Sequence, residues 1–97
     1  MNPPKNQTPE ARHNPGEQRF EVEVDGHLSV ADYERHGKVI HFTHTFVPVE
    51  LRGRGVAEKL VRAALNYARE EKLRVVPACS YVARFIDRHS EFQPLVE

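Results

Sequence analysis

The sequence predicts a mixed-sheet domain of the α+β or α/β class, with elements in the order β-β-β-α-β-α and helices on the sheet faces. Three observations carry that prediction. Residues 19–24, Arg-Phe-Glu-Val-Glu-Val, alternate charged and apolar side chains with the period of two that marks a half-buried strand. Residues 56–71 instead set Ala57, Leu60, Val61, Ala64, Leu65 and Ala68 at spacings of three and four, the stripe of an amphipathic helix. The segment from 39 to 78 reads strand–helix–strand, a unit that closes as a right-handed parallel crossover, whereas tight turns join the strands before it.

In chain order, the first 17 residues hold four of the seven prolines and no aliphatic side chain larger than alanine beyond Met1. Such a composition buries too little apolar surface to offset its ordering entropy, so residues 1–17 are expected to be a disordered arm and 18–97 the folded domain. Phe20, Val22 and Val24 face the core in the first strand. Asp25-Gly26 follows as the preferred two-residue hairpin turn, because a type I′ turn needs positive φ at both central positions. Residues 27–34 run back, and Arg35–Lys38 turn again. Residues 39–47 are apolar on both faces, which places that strand at the centre of the sheet, buried on both sides. After the helix, residues 73–78 form a short strand halted by Pro77. Residues 81–89 put Val82, Phe85, Ile86 and His89 on one helical face, with Ser80 as the N-cap. Phe92, Leu95 and Val96 supply the tail with side chains to dock.

Composition narrows the function. The chain has 97 residues, room for one domain, and its 14 basic and 14 acidic side chains cancel. Balanced charge provides no electrostatic case for a nucleic-acid or anionic-membrane partner. No apolar run reaches a membrane span, and no signal-peptide pattern opens the chain. A lone cysteine excludes an internal disulfide framework and fits a reducing, cytoplasmic location. Exposed sheet edges in so small a domain allow a monomer or a weak dimer.

The chemistry concentrates in Leu-Arg-Gly-Arg-Gly-Val-Ala-Glu-Lys-Leu (51–60). A helix N-terminus has backbone amides without intrahelical acceptors and an excess of positive dipole. Here Gly53 and Gly55 open access to those amides, Arg52 and Arg54 add cations, and no acid appears before Glu58. The combination suits a pyrophosphate. A P-loop is excluded, since no Gly-Lys-Ser/Thr follows, and a dinucleotide fingerprint fails because position 58 is Glu rather than Gly. The bland reading, in which the glycines merely turn the chain, stands beside it.

Residues 47–65 resemble motif A of the GCN5-related N-acetyltransferases. Arg52, Gly55 and Ala57 occupy the positions of its R/Q-x-x-G-x-G/A signature. His44-Thr45, Pro77-Ala78-Cys79-Ser80 and Arg88-His89 further resemble marks of its short, single-domain acetyltransferase-like subgroup. The resemblance spans 18–97 and implies a truncated fold of that family, with acetyl-CoA as cosubstrate. It implies that the amides of the 52–57 loop hold the CoA pyrophosphate, and that pantetheine lies where strand 39–47 splays from strand 73–78. The cofactor-binding residues are therefore expected to be Phe46, Val47, Arg52, Gly53, Arg54, Gly55, Val56 and Ala57. Two departures stand out. The strand and two helices that begin full-length members have no counterpart, and the last helix reads Ala-Arg-Phe-Ile-Asp where many members carry a catalytic tyrosine.

Acetyl transfer to an amine needs an uncharged nucleophile, stabilisation of the carbonyl oxygen and a proton for the leaving sulfur. His44 is the candidate base; its alternative is a core histidine beside Phe42 and Phe46. Cys79, where strand gives way to helix, is the candidate acid or nucleophile; its alternative is a small buried residue. Tyr81 is a further acid candidate, and Lys59 and Arg62 are candidates for the 3′-phosphate of CoA. Strand alternation puts His41 and His44 on opposite faces, so no metal site is expected. The expected function is an N-acetyltransferase acting on an amine of unknown identity, a small molecule or a protein lysine. The alternative is a non-catalytic sensor or interaction module that binds CoA or acyl-CoA.

Overall fold

The computed structural model describes residues 9–97. Five strands make one sheet in spatial order β1 (Arg12–Asn14), β2 (Arg19–Val24), β3 (His27–His36), β4 (Val39–Phe46), β5 (Arg74–Pro77). The first four pair antiparallel, and β4 pairs parallel with β5. Helix α1 (Val56–Glu70) provides the crossover between β4 and β5, and α2 (Ser80–Arg88) follows β5. The mixed sheet and its two helices match the predicted class.

Residues 12–17 correct the expected arm; its first eight positions lie outside the described residues. Arg12–Asn14 form an edge strand on β2, and Pro15–Glu17 form a 3-10 turn. Proline content misleads here because polar and aromatic contacts replace the missing aliphatic ones. The His13 ring stacks on Phe20 with centroids 4.2 Å apart, and its Nε2 lies 2.7 Å from the Tyr33 hydroxyl. Arg12 donates to Glu21 Oε1 at 2.7 Å, while Arg19 and Asn14 donate to Oε2 at 2.6 and 2.9 Å. Glu21 is consequently buried with its charge fully engaged, and these donors, Arg12 foremost, lower its pKa to about 2.

The hairpin turn is as expected: Asp25 and Gly26 have φ of 52° and 79°. Pairing of β3 with β4 then slips once. Tyr33 opposes Phe42 and Asp32 opposes His44, so Thr43 is an extra residue, a β-bulge. Before the bulge, Ile40 and Phe42 face the helices with Tyr33; after it, Thr45 takes that face with Ala31. His44 and Phe46 are turned to the other side, alongside His41.

Both helices pack on the same face. The Arg62 guanidinium of α1 lies 5.3 Å from the centroid of Phe85 on α2, and Arg69 covers Phe92 in the 3-10 turn Ser90–Leu95 at 5.1 Å. Between helices and sheet, Phe20, Val22, Ile40, Phe42 and Val75 meet Leu60, Val61, Ala64 and Leu65 of α1 and Val82, Phe85 and Ile86 of α2. Burial of Phe42, 1% exposed, contributes about 2–3 kcal/mol. The prediction that β4 is buried on both faces is therefore half right. It is interior in the sheet, but Thr43, His44 and Phe46 are exposed on the face without helices. The tail docks as expected: Val96 bridges Val75, and Arg74 donates to the carbonyls of Pro94 and Val96.

Candidate functional site

The loop from β4 to α1 is pinned from within. A 3-10 turn at Val49–Leu51 buries Leu51 at 1% exposure, and Arg52 Nε donates to the Val47 carbonyl at 3.2 Å. Gly53 and Gly55 then adopt φ of 83° and 75°, in the left-handed region that side chains disfavour. A Cβ built on either glycine meets nothing within 4 Å. Their conformation, rather than crowding, requires glycine, and the space in front of them is open.

Gly55 is the N-cap of α1 and has no side chain to satisfy the helix terminus. The Lys59 amide donates to the Gly55 carbonyl at 3.1 Å, which leaves the amides of Val56, Ala57 and Glu58 without intrahelical acceptors. Along this terminus lies a cavity of about 240 Å³. Val47, Arg52, Gly53, Gly55, Val56 and Ala57 line it, six of the eight expected cofactor residues. Arg54 is exposed outside that lining, and the Phe46 ring points to the open face, so Phe46 has only its main chain to offer here. Sequence reading missed Glu58 as a lining residue. Tyr81, put forward as an acid, is in the same wall. Burial pushes the Tyr81 phenol up, aided by the nearby Glu58 charge and opposed by Arg88, so the hydroxyl keeps its proton at neutral pH.

A cleft continues from this cavity. The ladder between β4 and β5 ends at Phe42 and Pro77, with one further bond from the Cys79 amide to the Phe42 carbonyl at 2.8 Å. Strand β4 stays paired with β3 as far as Phe46. Residues 43–46 thus have a strand on one side only. Their other edge runs from Cys79 at one end to Val47 and the glycine loop at the other.

Cys79 is the N-cap of α2, one residue earlier than the expected cap Ser80. Its half-buried sulfur lies 3.5 Å from Thr45 Oγ1, a partner that only the bulge turns toward it. Burial pushes the thiol pKa up. The Thr45 hydroxyl and the backbone amides around it, including those of Tyr81 and Val82, outweigh that and leave it below the usual value. Thr45 was visible in sequence as part of the His-Thr mark, but nothing in the sequence tied it to the thiol.

His44 is placed elsewhere. Beyond the bulge it is exposed on the open face opposite Asp32, so it is not the core neighbour of Phe42, and it does not meet Cys79. His41 shares that open face with it, which corrects the separation expected from simple alternation. No group of three His, Cys, Asp or Glu side chains among the described residues could hold a metal ion. No helix among them is long and apolar enough to cross a membrane.

Comparison with known proteins identifies the family. The sequence pattern of a family described as GCN5-related N-acetyl-transferase matches residues 19–95. Protein NATD1 of Bos taurus is 38% identical over 77 residues, which cover 76% of this chain and 68% of that one. Protein NATD1 of Homo sapiens is 35% identical over 77 residues, with coverage of 76% and 68%. A solution structure from Staphylococcus aureus described as GCN5-like superposes with a TM-score of 0.71 at 27% identity, covering 91% of this chain and 87% of that one.

Proposed function

Because this chain belongs to the GCN5-related N-acetyltransferase family, we propose that it binds acetyl-CoA and transfers the acetyl group to an amine. The observation that carries this reading is the continuity of the glycine-bounded helix terminus with the one-sided edge of β4. The amides of Val56 and Ala57, with Arg52 in the same wall, hold the pyrophosphate. Residues 43–46 run beside the pantetheine arm, which brings the thioester toward Cys79. Residues 18–97 thus form the CoA-binding unit.

In the transfer, a C–N bond to the acceptor forms and the C–S bond of the thioester breaks. A proton leaves the amine and one must reach the departing thiolate. Cys79 is the group of this chain at the inner end of the cleft. It serves as proton donor to the sulfur or, given its lowered pKa, as the nucleophile that carries the acetyl group. His44 serves as base for an amine arriving across the open face.

Calorimetric titration of the protein with acetyl-CoA tests the reading. Saturable binding at one site per chain is expected, and no binding at millimolar ligand would overturn it. A second reading, a CoA-binding sensor without turnover, draws on the separation of His44 and Cys79 by β4. The two part company on Cys79→Ala and His44→Ala: an enzyme loses turnover while keeping CoA affinity, whereas a sensor shows no turnover with any amine tried.

A further inference from the structure

The cationic side chains first put forward for the 3′-phosphate of CoA are already engaged. Lys59 Nζ lies 3.7 Å from a Glu10 carboxylate oxygen. Arg62 pairs with Glu58 at 3.3 Å, and its guanidinium is held over the Phe85 ring. Glu10, Lys59 and Arg62 line a cavity of about 450 Å³ on the flank of α1, together with Glu58 and Gly55. Two carboxylates therefore share that cavity with its two cations, and a phosphate monoester entering there would have to displace them.

On the other side of the cradle the balance differs. A cavity of about 140 Å³ between the start of α1 and the length of α2 is lined by Glu58, Tyr81, Arg84, Phe85, Arg88 and His89. Glu58 and Tyr81 also line the cradle cavity, so the two spaces adjoin through these side chains. Arg84 and Arg88 are four residues apart and share one stripe of the helix with Tyr81. Both are exposed, and neither forms an ion pair among the described residues. The one acid in this wall, Glu58, is compensated by Arg62. Arg88 lines this space together with Tyr81, the side chain that also borders the cradle cavity.

We propose that Arg84 and Arg88 of α2 form a second phosphate site, which takes the 3′-phosphate of CoA while the glycine loop takes its pyrophosphate. A guanidinium donates in a planar fork suited to phosphate oxygens, and two of them around a dianion outweigh what one surface ammonium supplies. The inference rests on the cradle reading, so its test separates the two. CoA and 3′-dephospho-CoA are titrated into the wild-type chain, an Arg84→Ala/Arg88→Ala double variant and a Lys59→Ala variant.

The wild type is expected to bind CoA about tenfold or more tightly than dephospho-CoA, an advantage of about 1.4 kcal/mol. The Arg84/Arg88 variant is expected to lose that preference while its dephospho-CoA affinity stays within about twofold. The Lys59→Ala variant keeps the preference. Equal wild-type affinity for the two ligands, or a preference that survives Arg84→Ala/Arg88→Ala, overturns the second site and leaves the cradle standing. Binding of neither ligand removes both. Arg84 and Arg88 are exposed, so their loss leaves the core intact, and thermal unfolding of the double variant confirms that it folds.

Discussion

Replacing Gly55 separates the conformational role of the glycine loop from its binding role. Gly55 has φ of 75°, and a Cβ there meets no protein atom within 4 Å. Gly55→Val therefore meets no obstacle at Cβ, and the left-handed backbone is its main stability cost, about 1–2 kcal/mol, somewhat more for a β-branched residue. In a domain of this size that lowers Tm by about 5–15 °C. Gly55→Asn costs less, since asparagine tolerates this region of φ. In both variants the new side chain projects from a residue that lines the cavity at the helix terminus, where the pyrophosphate is proposed to lie. Acetyl-CoA affinity should consequently fall at least about a hundredfold in both, roughly 2.7 kcal/mol, although the two differ in stability. Paired denaturation curves and calorimetric titrations read the two effects independently. Wild-type affinity in well-folded Gly55→Asn would refute the claim that these amides bind the ligand. An affinity loss that tracks the stability loss would show that the loop acts only as a turn.

Three further predictions follow from the packing. The Glu21 pKa is held at about 2 against 4.5 for a free carboxylate. Its pairing therefore stabilises the fold fully above pH 4.5, and that stabilisation is lost as pH falls toward 2. Because Arg12 is largely exposed, solvent screening reduces the contribution to about 1–2 kcal/mol, and Glu21→Gln should flatten the acid limb of a stability-versus-pH curve by that amount. The Cys79 thiol should react with iodoacetamide at a lower pH than a free cysteine. Thr45→Val, which removes the hydroxyl beside the sulfur, should shift that midpoint upward; an unmoved midpoint would discount the contact. His13→Ala removes the ring stacked on Phe20 and leaves the Tyr33 hydroxyl without this partner. It should cost about 1–3 kcal/mol and speed amide exchange in Arg12–Asn14; unchanged exchange would mean that the edge strand is held by the Glu21 contacts alone.

Much of the fold was legible in sequence because its signals are local. The two-residue period of 19–24, the Asp25-Gly26 turn, the apolar stripe of α1 and the position of Pro77 each report a backbone preference within a few residues. The glycine loop is legible for the same reason, since Gly53, Gly55 and the helix they precede are contiguous. Six of the residues named from it line one cavity. Residues 12–17 escaped that reasoning. What holds them is not in the segment but in Glu21, Phe20 and Tyr33, side chains brought to it by pairing.

The sequence by itself determined the types of the strands and helices from residue 19 onward, the parallel crossover and the glycine-bounded helix terminus, all of which follow from patterns local to one or two elements. Tertiary structure alone decided which side chains meet. Insertion of Thr43 into β4 reverses the facing of every residue after it, because strand side chains alternate with a period of two. That single extra residue sets Thr45 against Cys79 and sends His44 and Phe46 to the open face. A bulge is a relation between two strands, set by the pairing of Tyr33 with Phe42 and Asp32 with His44, and no periodicity along one strand encodes it.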